Sequence, residues 1–178
     1  MRRYDEHMAS ETALVSVEEY LSTNYKPACD YIDGVLRQKP MPTWKHGAIQ
    51  GQLMALISLA FRQFIAGSEV AVKIRTGKYF VPDVIVQRRD RIQEPYPEEP
   101  VHLCVEILSP EDRFGEVVLK CEDYLDWGVE TAWIIDPESR RAWEFQKGQR
   151  PIEVSETGTL TAAGISVSMR ELFSVMSV

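Results

Sequence analysis

The 178-residue chain has no surplus of positive charge: 20 Lys and Arg stand against 27 Asp and Glu, for a formal net charge of -7. Proteins that hold nucleic acid by charge alone carry a basic surface, so this balance argues against one that coats DNA or RNA. Cysteine is scarce too. Cys29, Cys104 and Cys121 show no paired metal-ligand spacing, and an odd count points to a reducing cytoplasm rather than a disulfide framework. No apolar run reaches about 18 residues, the length a membrane-spanning helix needs. The opening residues M-R-R-Y-D-E-H-M lack the apolar core of a signal peptide. Internal repeats and low-complexity segments are also missing. What is present is an ordinary globular composition, 44% hydrophobic and 26% charged, at a length that suits one domain over residues 1–178.

Residues 1–13 are polar, and a loosely held N-terminal segment is expected there. Ser16 followed by Glu19 is a capping-box pattern and predicts a short helix over 17–24. Asp33-Gly34 predicts a turn between two short strands within 29–36, and Pro40 and Pro42 keep the next stretch extended. Ile49, Leu53, Leu56, Ile57, Ala60 and Phe64 recur at helical spacing, which predicts a long helix over 46–64 that Gly67 ends. Residues 69–75 and 78–86 read as a hairpin about Thr76-Gly77. The Pro-rich stretch 87–100 reads as an exposed loop, and Arg88, Arg89 and Arg91 cluster in or beside it. Such a cluster is either a solvated edge or a set of phosphate contacts. A central strand over 101–108 is followed by a helix over 115–127, then by strands over 131–135 and 141–146. Short strands near 152–154 and 165–167 and a helix over 169–173 complete the reading.

The chemistry sits in the middle of this order. Asp83 lies in the apolar run V-P-D-V-I-V, and Glu106 lies in V-H-L-C-V-E-I-L-S-P. Strands apolar on both faces are expected to be covered by helices on both sides. A carboxylate in such a place is costly unless it is paired, hydrogen-bonded or metal-bound. A strand-end acid that caps a helix or meets water is the plainer reading of either one alone. Two such acids with Lys120 on the following helix compose a divalent-metal site with a cationic helper. Lys120 read alone is a surface lysine pairing with Glu116 or Asp123. With polar neighbours at Glu122 and Asp123 on its helix, Lys120→Ala is expected to keep the fold, within about 0.5 kcal/mol, and metal binding, but to lose most activity. His46 and Gln50, one helical turn apart, are either polar residues near a helix start or neighbours of the site.

The ordered segments S-V-E-E-Y-L, D-Y-I-D-G-V-L, H-G-A-I, V-P-D-V-I-V, V-E-I-L-S-P, K-C-E-D-Y-L-D-W-G-V and W-I-I-D-P resemble the Uma-two family of restriction endonuclease-like proteins, within the PD-(D/E)xK nuclease superfamily. They cover roughly residues 15 to 145. The resemblance implies an α/β fold with a restriction-endonuclease-like mixed β-sheet core, four strands at its centre, flanked by helices and carrying additional N- and C-terminal strands. It places Asp83 and Glu106 on adjacent strands and adds Asp30 as a site acid. The superfamily's lysine position, two residues after the second acid, holds Leu108 here. The family pattern moves the lysine to the next helix, where Lys120 stands.

The function expected from this is hydrolysis of DNA phosphodiester bonds with Mg²⁺ or Mn²⁺, ions that prefer oxygen ligands. Asp83, Glu106 and the Ile107 backbone carbonyl would hold the metal, and Lys120 would orient water or offset charge. Asp30 would bind metal directly or through water, with His46 and Gln50 nearby. The alternative is a catalytically silent nuclease fold that binds DNA or protein as a regulator, which the acidic balance favours. A structural subunit of a toxin–antitoxin or transposon-linked system is a third reading. A homodimer is expected for double-strand cleavage, with Trp143 and Phe145 either its contacts or core residues.

Overall fold

The structure is a computed structural model and describes residues 14–176; the segment 1–13, expected to be loose, lies outside the described residues. The chain runs α1 (Val17–Ser22), β1 (Cys29–Ile32), β2 (Val35–Gln38), α2 (Trp44–Ala60), β3 (Phe64–Ser68), β4 (Val72–Arg75), β5 (Lys78–Phe80) and β6 (Val84–Arg88). It continues through β7 (Leu103–Ile107), α3 (Phe114–Trp127), β8 (Thr131–Asp136), β9 (Arg141–Gln146), β10 (Ile152–Val154), β11 (Thr159–Ala162), β12 (Ile165–Ser168) and α4 (Met169–Phe173).

Local chemistry sets the boundaries that matter. Ser16 Oγ accepts the Glu19 amide at 3.1 Å and starts α1. Thr43 does the same for His46 at 3.2 Å and starts α2 two residues earlier than its apolar pattern predicts. Asp33 and Gly34 both adopt positive φ, 48° and 92°, which is the paired left-handed turn that a two-residue hairpin needs. Gly128 ends α3 at φ 121°, and a Cβ there would stand 2.9 Å from Pro100 Cγ.

Six strands form one mixed sheet in the order β10-β9-β8-β7-β6-β3, antiparallel except for the β7–β8 pair that α3 connects. A second, antiparallel sheet runs β2-β1-β5-β4, and β11 pairs with β12. Alternation along β6, β7 and β8 feeds two cores. On one face Ile49, Leu53 and Ile57 of α2 pack on Val84, Val86, Val105 and Ile107. On the other, Cys121, Tyr124 and Leu125 of α3 pack on Ile85, Cys104, Ala132 and Ile134. Each fully buried Leu or Ile contributes about 1.5–3 kcal/mol, so the two helices clamp the sheet chiefly through these stripes. α1 is held separately: Tyr20 stacks on Tyr31 at 4.9 Å and donates its hydroxyl to the Cys29 carbonyl.

The mixed α/β fold is the expected one, with additional strands extending the central sheet to six. Three expectations change. α2 stops at Ala60, Ala60 is exposed, and Phe64 joins the core from β3, where Gly67 is a strand residue rather than a helix stop. The run 78–86 is not one strand. It breaks at Val81-Pro82-Asp83 and crosses from the small sheet into the large one, because Pro82 has no amide to give a ladder. β11, whose burial alternates, was not expected as a strand. Trp143 and Phe145 are core contacts: Phe145 is buried on the α3 side and Trp143 packs on Phe114 at 4.7 Å.

Candidate active site

The crossing between sheets delivers the first acid. Asp83 sits at the bend just before β6 rather than within a strand, and it is 4% exposed. The crossing is pinned by the other elements. The Val81 amide donates to Asp30 Oδ1 of β1 at 2.7 Å. Gln50 of α2 donates to the Asp83 carbonyl at 2.7 Å. The Ile107 amide of β7 donates to Asp83 Oδ2 at 2.6 Å, and His46 Nε2 lies 3.3 Å from the same oxygen. His46 Nδ1 is buried without a hydrogen-bond partner among the described residues.

Glu106, next to last in β7 and 5% exposed, points to the α3 side. Tyr124 of α3 donates its hydroxyl to Glu106 Oε1 at 2.5 Å, and Lys120, one turn earlier, places its ammonium 3.1 Å from the same oxygen. Lys120 also meets Asp30 Oδ2 at 2.9 Å. Its side chain is 12% exposed and turned into the Asp30–Glu106 pair, so it is not a surface lysine pairing with Glu116 or Asp123.

A second lysine completes the arrangement. Lys39, just after β2, donates to Asp83 Oδ1 at 2.5 Å and to the Val81 carbonyl at 2.8 Å, and lies 3.9 Å from Glu106 Oε2. Three carboxylates and two ammoniums thus form one network at the floor of a cavity of about 760 Å³, lined also by Arg37, Met41 and Arg113.

Electrostatics separates the two central acids. Burial pushes the Asp83 carboxyl up, but the Lys39 ammonium and His46 oppose this and hold it well below the usual carboxylate range. Glu106 goes the other way. Burial raises it, the negative charges of Asp83 and Asp30 add to the rise, and Lys120 and Lys39 offset only part. Lys120 is held protonated: burial disfavours its charge, but Asp30 and Glu106 raise its pKa above the ordinary lysine value.

Among the described residues no group of three or more His, Cys, Asp and Glu side chains stands in a metal-ligating arrangement. The donor chemistry nevertheless fits a hard divalent ion. Asp83 and Glu106 offer carboxylate oxygens, and a cationic nitrogen already lies between them, so the position is built for positive charge.

The structure therefore brings together Asp30, His46, Gln50, Asp83, Glu106, Ile107 and Lys120. Arg88, Arg89 and Arg91 stand apart. Arg88 is at the far end of β6, roughly 16 Å from Asp83 at the rise of a strand. It pairs with Asp90 at 3.0 Å, Arg89 donates to the Arg62 carbonyl at 3.0 Å, and Arg91 is exposed in the loop beyond.

A family model for Uma2, described as "Putative restriction endonuclease", matches residues 17–171. The chain belongs to the Uma2 family. Every residue of the network lies within the matched span. Among solved structures, "a putative nuclease belonging to DUF820" from Anabaena variabilis ATCC 29413 superposes with a TM-score of 0.78 at 26% identity, covering 91% of this chain and 99% of that chain. A DrdV–DNA complex gives a TM-score of 0.40 at 16% identity over 58% of this chain and 9% of that chain, a likeness too partial to carry weight. No curated protein matches.

Sequence reasoning missed two members of this Uma2 site. Tyr124 lies four residues after Lys120, on the same helical face, and that spacing was the available signal. Lys39 has no such mark: it reaches Asp83 because β2 pairs with β1 and β1 pairs with β5.

Proposed function

We propose that this Uma2 protein is a DNA endonuclease that hydrolyses phosphodiester bonds with Mg²⁺ or Mn²⁺, using a PD-(D/E)xK site whose lysine has moved to α3. The observation that carries this reading is the convergence of Asp83, Glu106 and Lys120 at the floor of one cleft. The 26%-identical structure described as a nuclease supports it. Asp83, Glu106 and the Ile107 carbonyl would hold the metal, which when bound would supply Lewis-acid polarisation of a phosphate oxygen and a more acidic water. Lys120 stabilises charge that develops at phosphorus, and Asp30 holds its ammonium in place. His46 and Gln50 fix the Asp83 side chain and backbone. With Arg88–Arg91 remote, Arg37 and Arg113 on the cleft wall are the phosphate contacts.

We further propose one domain over residues 1–178, a homodimer, so that a two-fold axis presents two sites to a duplex, and a cytoplasmic setting, which suits three free buried cysteines. Sedimentation at micromolar concentration tests the dimer.

The deciding assay is cleavage of plasmid, linear and single-stranded DNA with Mg²⁺ or Mn²⁺, beside Asp83→Asn. Cleavage is expected for the wild type and a loss of about a hundredfold or more for the variant, as for other groups acting on transition-state charge. A second reading has one observation in its favour: the site acids are already charge-compensated from within by Lys39 and Lys120. DNA binding without cleavage under all these conditions would establish that silent, regulatory role.

A further inference from the structure

We infer that Lys39 is the resident counter-cation of the Asp83–Glu106 pair, and that a divalent ion enters only by displacing its ammonium. This rests on the reading of those two acids as ligands. The ammonium stands 2.5 Å from Asp83 Oδ1 and 3.9 Å from Glu106 Oε2, which is the space between the two donors. Two cations cannot share it, because their repulsion in a buried site is strong.

Of the two lysines, Lys39 is the one that yields. Lys120 keeps the Asp30 carboxylate at 2.9 Å whatever happens at Glu106. Lys39 has no second strong anchor: with an ion on Asp83 it retains only the Val81 carbonyl. It also stands at the edge of the network with its side chain 17% exposed, between Gln38 and Pro40 on the cleft wall, so a path into the cleft is open to it. Lys39 thereby sets the metal affinity of the site. It acts through the acids and is a positioning residue.

The test is calorimetric titration of Mg²⁺ and Mn²⁺ into wild type, Lys39→Met, Lys39→Arg and Lys45→Gln. Lys45 pairs with Glu138 on the surface and serves as the control. Lys39→Met should bind metal about tenfold more tightly, toward the lower end of the range for coupled sites. Lys39→Arg and Lys45→Gln should stay near wild type. The melting temperature of Lys39→Met should be lower than wild type in chelator and should rise more on adding metal. A merely structural role would not tighten binding. If Lys39→Met is unfolded in chelator, metal must restore its fold, and a variant unfolded at every metal concentration overturns the inference. Binding by Lys39→Met alone supports it. Equal binding by wild type and Lys39→Met refutes the displacement of Lys39 and leaves the metal site standing. Binding by neither sinks both.

Discussion

Replacing Lys120 by Met removes one charge and keeps the stem, and the structure makes this a stability experiment as well as a catalytic one. The ammonium lies 2.9 Å from Asp30 and 3.1 Å from Glu106, in a side chain 12% exposed. Removing one partner from a buried pair costs about 3–5 kcal/mol, because the remaining charge is left uncompensated. Two features reduce that cost here. Burial already raises the Glu106 carboxyl, so it can take up a proton in place of the lost cation. Lys39 also remains 3.9 Å from Glu106. The lower end, about 3 kcal/mol, is therefore expected in metal-free protein. For a chain of this length that lowers the melting temperature by roughly 6–12 °C. Urea unfolding followed by circular dichroism, in chelator and again with Mg²⁺, measures it. Added Mg²⁺ should recover part of the loss by supplying the missing charge. A loss under about 1 kcal/mol, the value of a solvated pair, would refute the buried network and return Lys120 to the surface role its neighbours imply.

The raised Glu106 carboxyl gives a pH dependence with a definite sign. Its contribution to stability is fully present below about pH 4.3, the unfolded value, and is lost as pH rises through the folded value. In chelator, the melting temperature of Glu106→Gln relative to wild type should therefore climb as pH rises from that point, and a constant difference would contradict the assignment. Burial holds the thiols of Cys104 and Cys121 well above their ordinary range and raises Cys29 as well. Native protein at neutral pH should resist alkylation at all three, with mass spectrometry showing modification only on unfolding. Arg88→Ala combined with Arg89→Ala and Arg91→Ala should leave DNA cleavage within about twofold of wild type. Arg37→Ala with Arg113→Ala should weaken DNA binding and make its salt dependence shallower, by about one phosphate contact per residue.

Sequence legibility followed the range of the interaction. Ser16, Asp33-Gly34 and Gly128 act within a few residues, and each marked its element correctly. Glu106 and Lys120 were legible because burial made a charged side chain conspicuous in an apolar strand, and because the family pattern fixed the helix. Asp83 was found but misplaced. The run Y-F-V-P-D-V-I-V reads as continuous, and only tertiary pairing shows that Pro82 ends one sheet and begins another. The end of α2 failed for a related reason. Phe61 and Phe64 extend the apolar period with no breaker between them, so nothing local distinguishes a helix from the start of β3. Lys39 lay beyond reach, because its partner stands 44 residues away and R-Q-K-P looks like any solvated edge.

The site draws on both cores at once, and this bears on how a mutational map of the protein should be read. His46 and Gln50 arrive on the helix that closes one face of the sheet, and Lys120 and Tyr124 on the helix that closes the other. A truncation at Ile57 or Leu125 touches no acid and no lysine of the network. Each would still loosen one wall of the clamp that keeps Asp83 and Glu106 within reach of the same ammonium. Scored by cleavage alone, such positions would rank beside the acids. Dividing activity by the amount of folded protein would separate the interior from the cleft.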